Sequence, residues 1–249
     1  MWDRGILKSN AKVALQGRYW PAFAASLVAF ILTGGYSMVT YRYNFDYNQY
    51  MNMDYSEIIR HTASARGASY MGIVYMIFVA LPISIGIARF FVQNHFGVTQ
   101  IETVFSGFRR NYLNGIGSML VTQIFIFLWS LLLVIPGIIK SLQYSQVAFI
   151  LADNPSMTGS RAREISRIMT NGEKGAIFVL YLSFIGWYFL GGICLGIGIL
   201  FVNPYFQATQ AELYLFLRDR AIQTNQVHPA EFGLIGAAPY VDSEVPPIL

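Results

Sequence analysis

Charge is scarce in this chain. Asp, Glu, Lys and Arg make up 12% of its 249 residues, against roughly 25% in a soluble domain. Such a chain cannot cover a water-facing exterior, because soluble surfaces are where ionised side chains concentrate. Cysteine is nearly absent as well. Cys194 stands alone, which excludes an internal disulfide and a cysteine-held metal cluster. His61, His95 and His228 are scattered and follow no metal-ligand spacing. The glycine-rich phosphate loop closed by Gly-Lys-Ser/Thr does not occur, and neither do Gly-x-Ser-x-Gly or His-Glu-x-x-His. ATP coupling within the chain and the common hydrolase constellations therefore have no support, and no cofactor is expected.

What the chain has instead is apolar length. Hydrophobic residues make up 55% and aromatic residues 16%, with a mean hydropathy of +0.45. They fall in blocks too long for core strands or core helices. The blocks cover residues 19–40, 69–92 with Pro82 inside, 115–133, 136–151, and 175–217, the last long enough for two spans joined at Gly191-Gly192. The first follows a basic segment with Arg4, Lys8, Lys12 and Arg18, but no A-x-A cleavage pattern follows, so it is expected as an uncleaved first span.

Charge decides how these blocks cross. With a single crossing over 115–151, Arg161, Arg163, Arg167 and Lys174 would lie outside. With a tight turn at Pro136-Gly137, residues 136–151 return as a short or re-entrant fourth span and those cations lie inside. Of the 17 basic residues, only Arg42, Arg60 and Arg66 then fall outside, and Lys140 sits within a span. The positive-inside rule favours that arrangement. The expectation is an all-α polytopic transmembrane helical bundle of about six spans in the cytoplasmic membrane, with both termini cytoplasmic. Residues 1–220 form one transmembrane domain and 221–249 a flexible tail without apolar periodicity. The net charge of +4 belongs to the cytoplasmic loops, so no nucleic-acid partner is expected.

Two cytoplasmic segments read as interfacial helices. In 2–18, Arg4, Lys8 and Lys12 share a face beside an apolar stripe of Leu7, Ala11 and Leu15. In 155–171, Met157, Ile165, Ile168 and Met169 oppose Arg161, Arg163, Glu164 and Arg167. Both suit an anionic leaflet, as anchors. Arg161, Arg163, Arg167 and Lys174 are also the candidate docking or lipid surface. In the outer loop 41–68, Tyr41, Tyr43, Tyr47, Tyr50 and Tyr55 suit a membrane-interface belt.

Polar groups at membrane depth are the best pointers to a site, because each needs a partner in hydrocarbon. Gln123, Lys140, Gln143 and Asn203 are the candidates, with Lys140 and Gln143 on one helical face. Pro204 removes the amide that would bond the Leu200 carbonyl. These groups read either as a small polar cavity or as ordinary interhelical hydrogen bonding with Lys140 reaching to the surface. No carboxylate accompanies them, and Glu212, near the cytoplasmic end, reads as solvated or ion-paired. Gly192-x-x-x-Gly196 and Ala80-x-x-x-Ser84-x-x-x-Ala88 read as close helix packing.

Pro136-Gly137-Ile138-Ile139-Lys140, Tyr144 and Phe149 through Pro155 resemble a bacterial membrane-protein family catalogued as domain of unknown function nine-seven-five. Ser166 through Met169, Gly172, Lys174, Phe178, Leu182 through Trp187, Pro204-Tyr205, and Leu7-Lys8 to Tyr19-Trp20 fit it too. The layout is similar to the non-catalytic membrane domains of some glycerophosphodiester phosphodiesterases. The resemblance implies a polytopic protein with no catalytic residues to carry over. The functional expectation is a non-enzymatic accessory or assembly factor in the cell envelope or beside an export system. The alternative is a small transporter or lipid-handling protein. Membrane lipids, another membrane protein or transporter subunit, and a second copy of the chain are the expected partners.

Overall fold

The computed structural model describes residues 2–40, 54–57, 70–109, 111–193 and 197–234, with the side chains of 34–40 left aside. Every element among the described residues is helical, as the fold expectation requires. The chain is an all-α helical membrane bundle. Of the Tyr-rich loop, only Tyr55 is described, 75% exposed; Tyr41, Tyr43, Tyr47 and Tyr50 lie outside the described residues.

Helix α1, Arg4–Leu15, starts at Asp3, whose carboxylate accepts from the Gly5 amide. Its expected stripe of Leu7, Ala11 and Leu15 is buried, together with Ala14. Gly17 takes a positive φ of 69°, the left-handed conformation that glycine adopts without strain, and turns the chain into α2, Tyr19–Thr40. Helix α3 runs over Tyr70–His95 and widens to a π-helical stretch at Met76–Ala80. The cause is Pro82. It has no amide for the Phe78 carbonyl, and the Tyr112 hydroxyl donates to that carbonyl instead, at 2.8 Å.

A 3-10 helix, Ile101–Phe108, packs backbone to backbone on α3. A Cβ on Gly86 would lie 1.8 Å from the Val104 carbonyl oxygen, and one on Gly107 would lie 2.1 Å from the Pro82 carbonyl oxygen. Helices α4, Tyr112–Leu132, and α5, Val134–Gln143, form a hairpin. Its turn is at Leu133, in extended backbone with φ −161° and ψ 143°. This corrects the expected turn at Pro136-Gly137. Pro136 lies in the first turn of α5, where its missing amide costs nothing because first-turn amides have no intrahelical partner. Gly137 is where α5 lies against Ser130.

Helix α6, Val147–Asp153, continues α5 after a break at Tyr144–Gln146, and together they cover the 20 residues Val134–Asp153. The fourth apolar segment is thus interrupted rather than short. Helix α7 spans Gly159–Met169. Helix α8, Lys174–Ile193, pairs with α9, Ile197–Gln223. Gly191 and Gly192 belong to α8, so the expected join does not lie at that pair. A Cβ on Gly198 would lie 2.6 Å from the Gly191 Cα, the close approach that small residues permit.

Helices Tyr70–His95, Tyr112–Leu132, Val134–Asp153 and Lys174–Ile193 are long and apolar enough to cross a membrane, and Tyr19–Thr33 is a shorter apolar helix. Helix α9 is 27 residues long, but its second half carries Gln210, Glu212 and Arg218. That half is the centre of the molecule, packed among α1, α2, α3, α7 and α8, with Leu213, Tyr214 and Leu217 fully buried. The opposite end is apolar and open. Leu131 through Ile135 at the tip of the α4–α5 hairpin are exposed, as are Phe189, Leu190, Ile193 and Ile197 at the tip of the α8–α9 hairpin. A soluble monomer rarely carries so large an apolar surface.

The segment expected to be loose from residue 221 is anchored as far as Leu234. Helix α9 continues to Gln223, and a second 3-10 helix, Pro229–Phe232, buries Phe232 beside Val227. Residues 235–249 lie outside the described residues.

Candidate functional site

The break between α5 and α6 collects buried polar groups. Unwinding at Tyr144–Gln146 leaves the Gln143 carbonyl without its next helical amide, and the Ser166 hydroxyl of α7 donates to it at 2.7 Å. Thr170, the C-cap of α7, donates to the Ser166 carbonyl at 2.8 Å with its Oγ1 3.4 Å from the same Gln143 oxygen. Both side chains are fully buried. They stand four residues apart, on one face of the same helix. Gln146 is fully buried too. Its Nε2 donates to Ser145 Oγ at 2.8 Å, while its Oε1 has no partner among the described residues. Ser145 Oγ in turn donates to the Leu142 carbonyl at 2.8 Å, and on the neighbouring α8 the Tyr181 hydroxyl donates to Gln210 Oε1 of α9 at 3.0 Å. A buried polar patch thus surrounds the break.

Two of the four expected site residues meet at its edge. Lys140 Nζ donates to Gln143 Oε1 at 3.4 Å. It lies 5.0 Å over the Trp129 ring and 5.8 Å over the Tyr144 ring. Ring quadrupoles offset part of the cost of holding an ammonium among apolar groups. The other two are elsewhere. Gln123 is exposed on α4 and Asn203 is half-buried on α9, and among the described residues no hydrogen bond joins either to Lys140 or Gln143. The four-residue path is therefore corrected to a pair. Near Pro204, the Tyr19 hydroxyl donates to the Phe201 carbonyl at 3.0 Å, one residue beyond the carbonyl expected to be freed.

The second polar group of the molecule is ionic and lies in its packed half. Asp153 accepts from the Tyr214 hydroxyl at 2.6 Å and from Arg218 at 3.1 Å. Arg89 donates through Nε to the neighbouring Ala152 carbonyl at 2.8 Å. His95 Nδ1 and Glu212 Oε1 are 2.6 Å apart, with the Glu212 side chain 4% exposed. Glu212 is thus buried against His95 rather than solvated. Arg220 pairs with Glu173 and donates to the Met169 carbonyl.

The expected basic docking surface divides in two. Arg161 is bidentate on Glu231, at 2.6 and 3.0 Å, and also pairs with Glu164. Its guanidinium holds the Glu231 carboxyl below the ordinary carboxylate range. Arg163 donates to the Ser118 carbonyl at 3.4 Å and lies 5.5 Å over the Phe125 ring. Arg167 is exposed and Lys174 half-buried, and neither has an ion pair among the described residues. A small cleft is lined by Ile85, Arg89, Ser106, Gly107, Gly115, Leu151 and Pro155. Among the described residues no cluster of His, Cys, Asp and Glu is placed to hold a metal ion.

Sequence reasoning missed Ser145, Gln146, Ser166, Thr170, Tyr181 and Gln210. A local signal existed for the first four: a polar pair inside an apolar run, and two hydroxyl residues at helical spacing. Tyr181 and Gln210 carried none, because their meeting depends on the register of α8 against α9.

The sequence model of one family, described as protein of unknown function (DUF975), matches residues 71–221. No curated protein and no solved structure matches the chain. The likeness to diesterase membrane domains has no support in these comparisons.

Proposed function

We propose, for a chain that belongs to the DUF975 family of unknown function, a non-enzymatic accessory or assembly role in the bacterial cytoplasmic membrane. The observation that carries this reading is the division of the molecule. Its buried charges bind its own helices to one another, whereas its two hairpin tips expose large apolar side chains. Side chains spent on internal pairing are poor candidates for chemistry, and exposed apolar faces are what another membrane subunit packs against. In this reading α2, α3, α4, α5 with α6, α8 and α9 are six spans, and both ends are cytoplasmic.

The experiment is purification of the full chain in mild detergent with a photo-crosslinker at Leu132 or Phe189, followed by mass spectrometry. A stoichiometric membrane protein cross-linked from a hairpin tip is the expected result. A chain that purifies alone with one enriched lipid overturns it. That outcome favours the second reading, a small transporter or lipid-handling protein, which draws support from the interrupted helix at Tyr144–Gln146. Interrupted helices lining a polar site are a common device of transporters.

Topology has its own test. Cysteines placed at Ser160 and Lys174 in a Cys194→Ala background are expected to be shielded from a membrane-impermeant reagent in intact cells. Modification from outside would remove the six-span arrangement.

A further inference from the structure

Like Arg167 and Lys174, the cations of α1 meet no carboxylate among the described residues, but they stand together in one row. Arg161, Arg218 and Arg220 each meet a carboxylate. Arg4, Lys8 and Lys12 follow one another at intervals of four along one helical face, and among the described residues none of them has an ion pair. Asp3, the neighbouring carboxylate, is turned to the Gly5 amide.

The row lies against the apolar α8–α9 hairpin. Lys8 Nζ is 4.5 Å over the Phe184 ring, and Lys12 Nζ is 5.8 Å over the Tyr205 ring. Phe184 and Tyr205 are themselves in contact, their ring centres 5.3 Å apart. One helical turn from Tyr205, Phe201 stacks on Phe23 at 4.9 Å, and Phe23 meets Trp20 edge to face at 5.9 Å. Trp20 is 70% exposed. Cations backed by aromatic rings beside an exposed tryptophan are the composition of a headgroup boundary. The Lys8 ammonium is held below the ordinary lysine range, chiefly by desolvation and then by repulsion from Arg4 and Lys12. A bound anion removes that repulsion.

We infer that Arg4, Lys8 and Lys12 form a binding site for the phosphate of an anionic phospholipid, whose acyl chain lies along the accessible rings of Tyr205 and Phe201. Charge complementarity selects the occupant: three unneutralised cations call for a phosphate, and the apolar wall beside them calls for a chain attached to it. An acidic protein segment satisfies the first demand and not the second. The site goes beyond the accessory role proposed above and does not depend on it.

The test uses the full chain in neutral phosphatidylcholine nanodiscs, with phosphatidylglycerol added in steps and retained lipid counted by native mass spectrometry. A basic residue near an anionic surface contributes a factor of roughly five, so the R4Q/K8Q/K12Q variant is expected to lose about a hundredfold in phosphatidylglycerol affinity. K8R/K12R is expected to keep it. Melting in phosphatidylcholine alone reports whether the triple variant is folded. If it is not, the single K12Q variant, at an exposed position, is expected to lose about fivefold. Equal retention of the two lipids overturns the site. So does an equal loss in R167Q, which alters an exposed cation away from α1. Protection by millimolar inorganic phosphate as strong as that by phosphatidylglycerol overturns it as well, since the wall for the acyl chain would then contribute nothing.

Discussion

Arg218→Ala is expected to lower the stability of the folded chain by about 3–5 kcal/mol, the cost of leaving one member of a buried ion pair without its partner. Arg218 is 8% exposed and holds Asp153 at 3.1 Å, while its guanidinium lies 5.7 Å over the Tyr214 ring. Its removal leaves Asp153 with the Tyr214 hydroxyl at 2.6 Å and the more distant charge of Arg89. The Asp219 contact, at 3.1 Å, contributes little, because the Asp219 side chain is 55% exposed and solvent screens it. Thermal unfolding in detergent is the measurement. For a chain of this size roughly 2–4 °C is lost per kcal/mol, so the melting temperature falls by about 10 °C. Combining Asp153→Leu with Arg218→Leu is expected to regain most of the loss, because a well-packed apolar pair removes the stranded charge. A double variant as unstable as the sum of the two single variants would mean that shape, not charge, holds this position.

Two glycine substitutions are expected to act in opposite directions. The Cβ of Gly86→Ala would meet the Val104 carbonyl oxygen at 1.8 Å and its carbon at 2.5 Å. Both are backbone atoms, so no side chain can rotate away and the 3-10 helix itself must move. Overpacking of this kind costs about 1–3 kcal/mol and sometimes more, and a clash with backbone belongs at the upper end. Displacement of Val104, which is fully buried, adds the loss of its packing. Gly117, on α4, has nothing within 4 Å of its Cβ position. Gly117→Ala therefore keeps only the gain in helix propensity, about 0.5–1 kcal/mol. Parallel melting curves decide the matter: G86A below the parent and G117A at or above it. An unchanged G86A would mean that the 3-10 helix is not seated on α3 as described.

The comparison of these two glycines marks where sequence reading stops. Both stand in apolar runs, and nothing local separates them; only the arrival of residues 101–108 on one of them does. Periodicity was informative wherever a contact is local. Leu7, Ala11 and Leu15 lie on one turn-to-turn stripe and are buried together. Lys140 and Gln143 share a face and bond. The turn at Leu133 was missed because Pro136-Gly137 carries the stronger turn chemistry, yet proline is equally at home in the first turn of a helix. The clamps were invisible for another reason. His95 and Glu212 are separated by 117 positions, and Arg161 and Glu231 by 70, and no spacing rule reaches that far. Of the expected site, the pair made by local geometry survives, and the members on separate helices do not join it.

The central position of α9 has a consequence for biogenesis. Chains emerge from the ribosome N-terminus first, so His95 and Asp153 are made long before Glu212, Tyr214 and Arg218 exist to receive them. Until the last helix is made, the nascent protein holds a buried-to-be carboxylate and imidazole whose partners have not been translated. Completion of residues 212–218 is the event that joins the earlier helices, and the arrival of Glu231 at Arg161 closes the final clasp. A transcript cut short after α8 would therefore yield a chain that can be inserted but not locked, a natural substrate for membrane quality control.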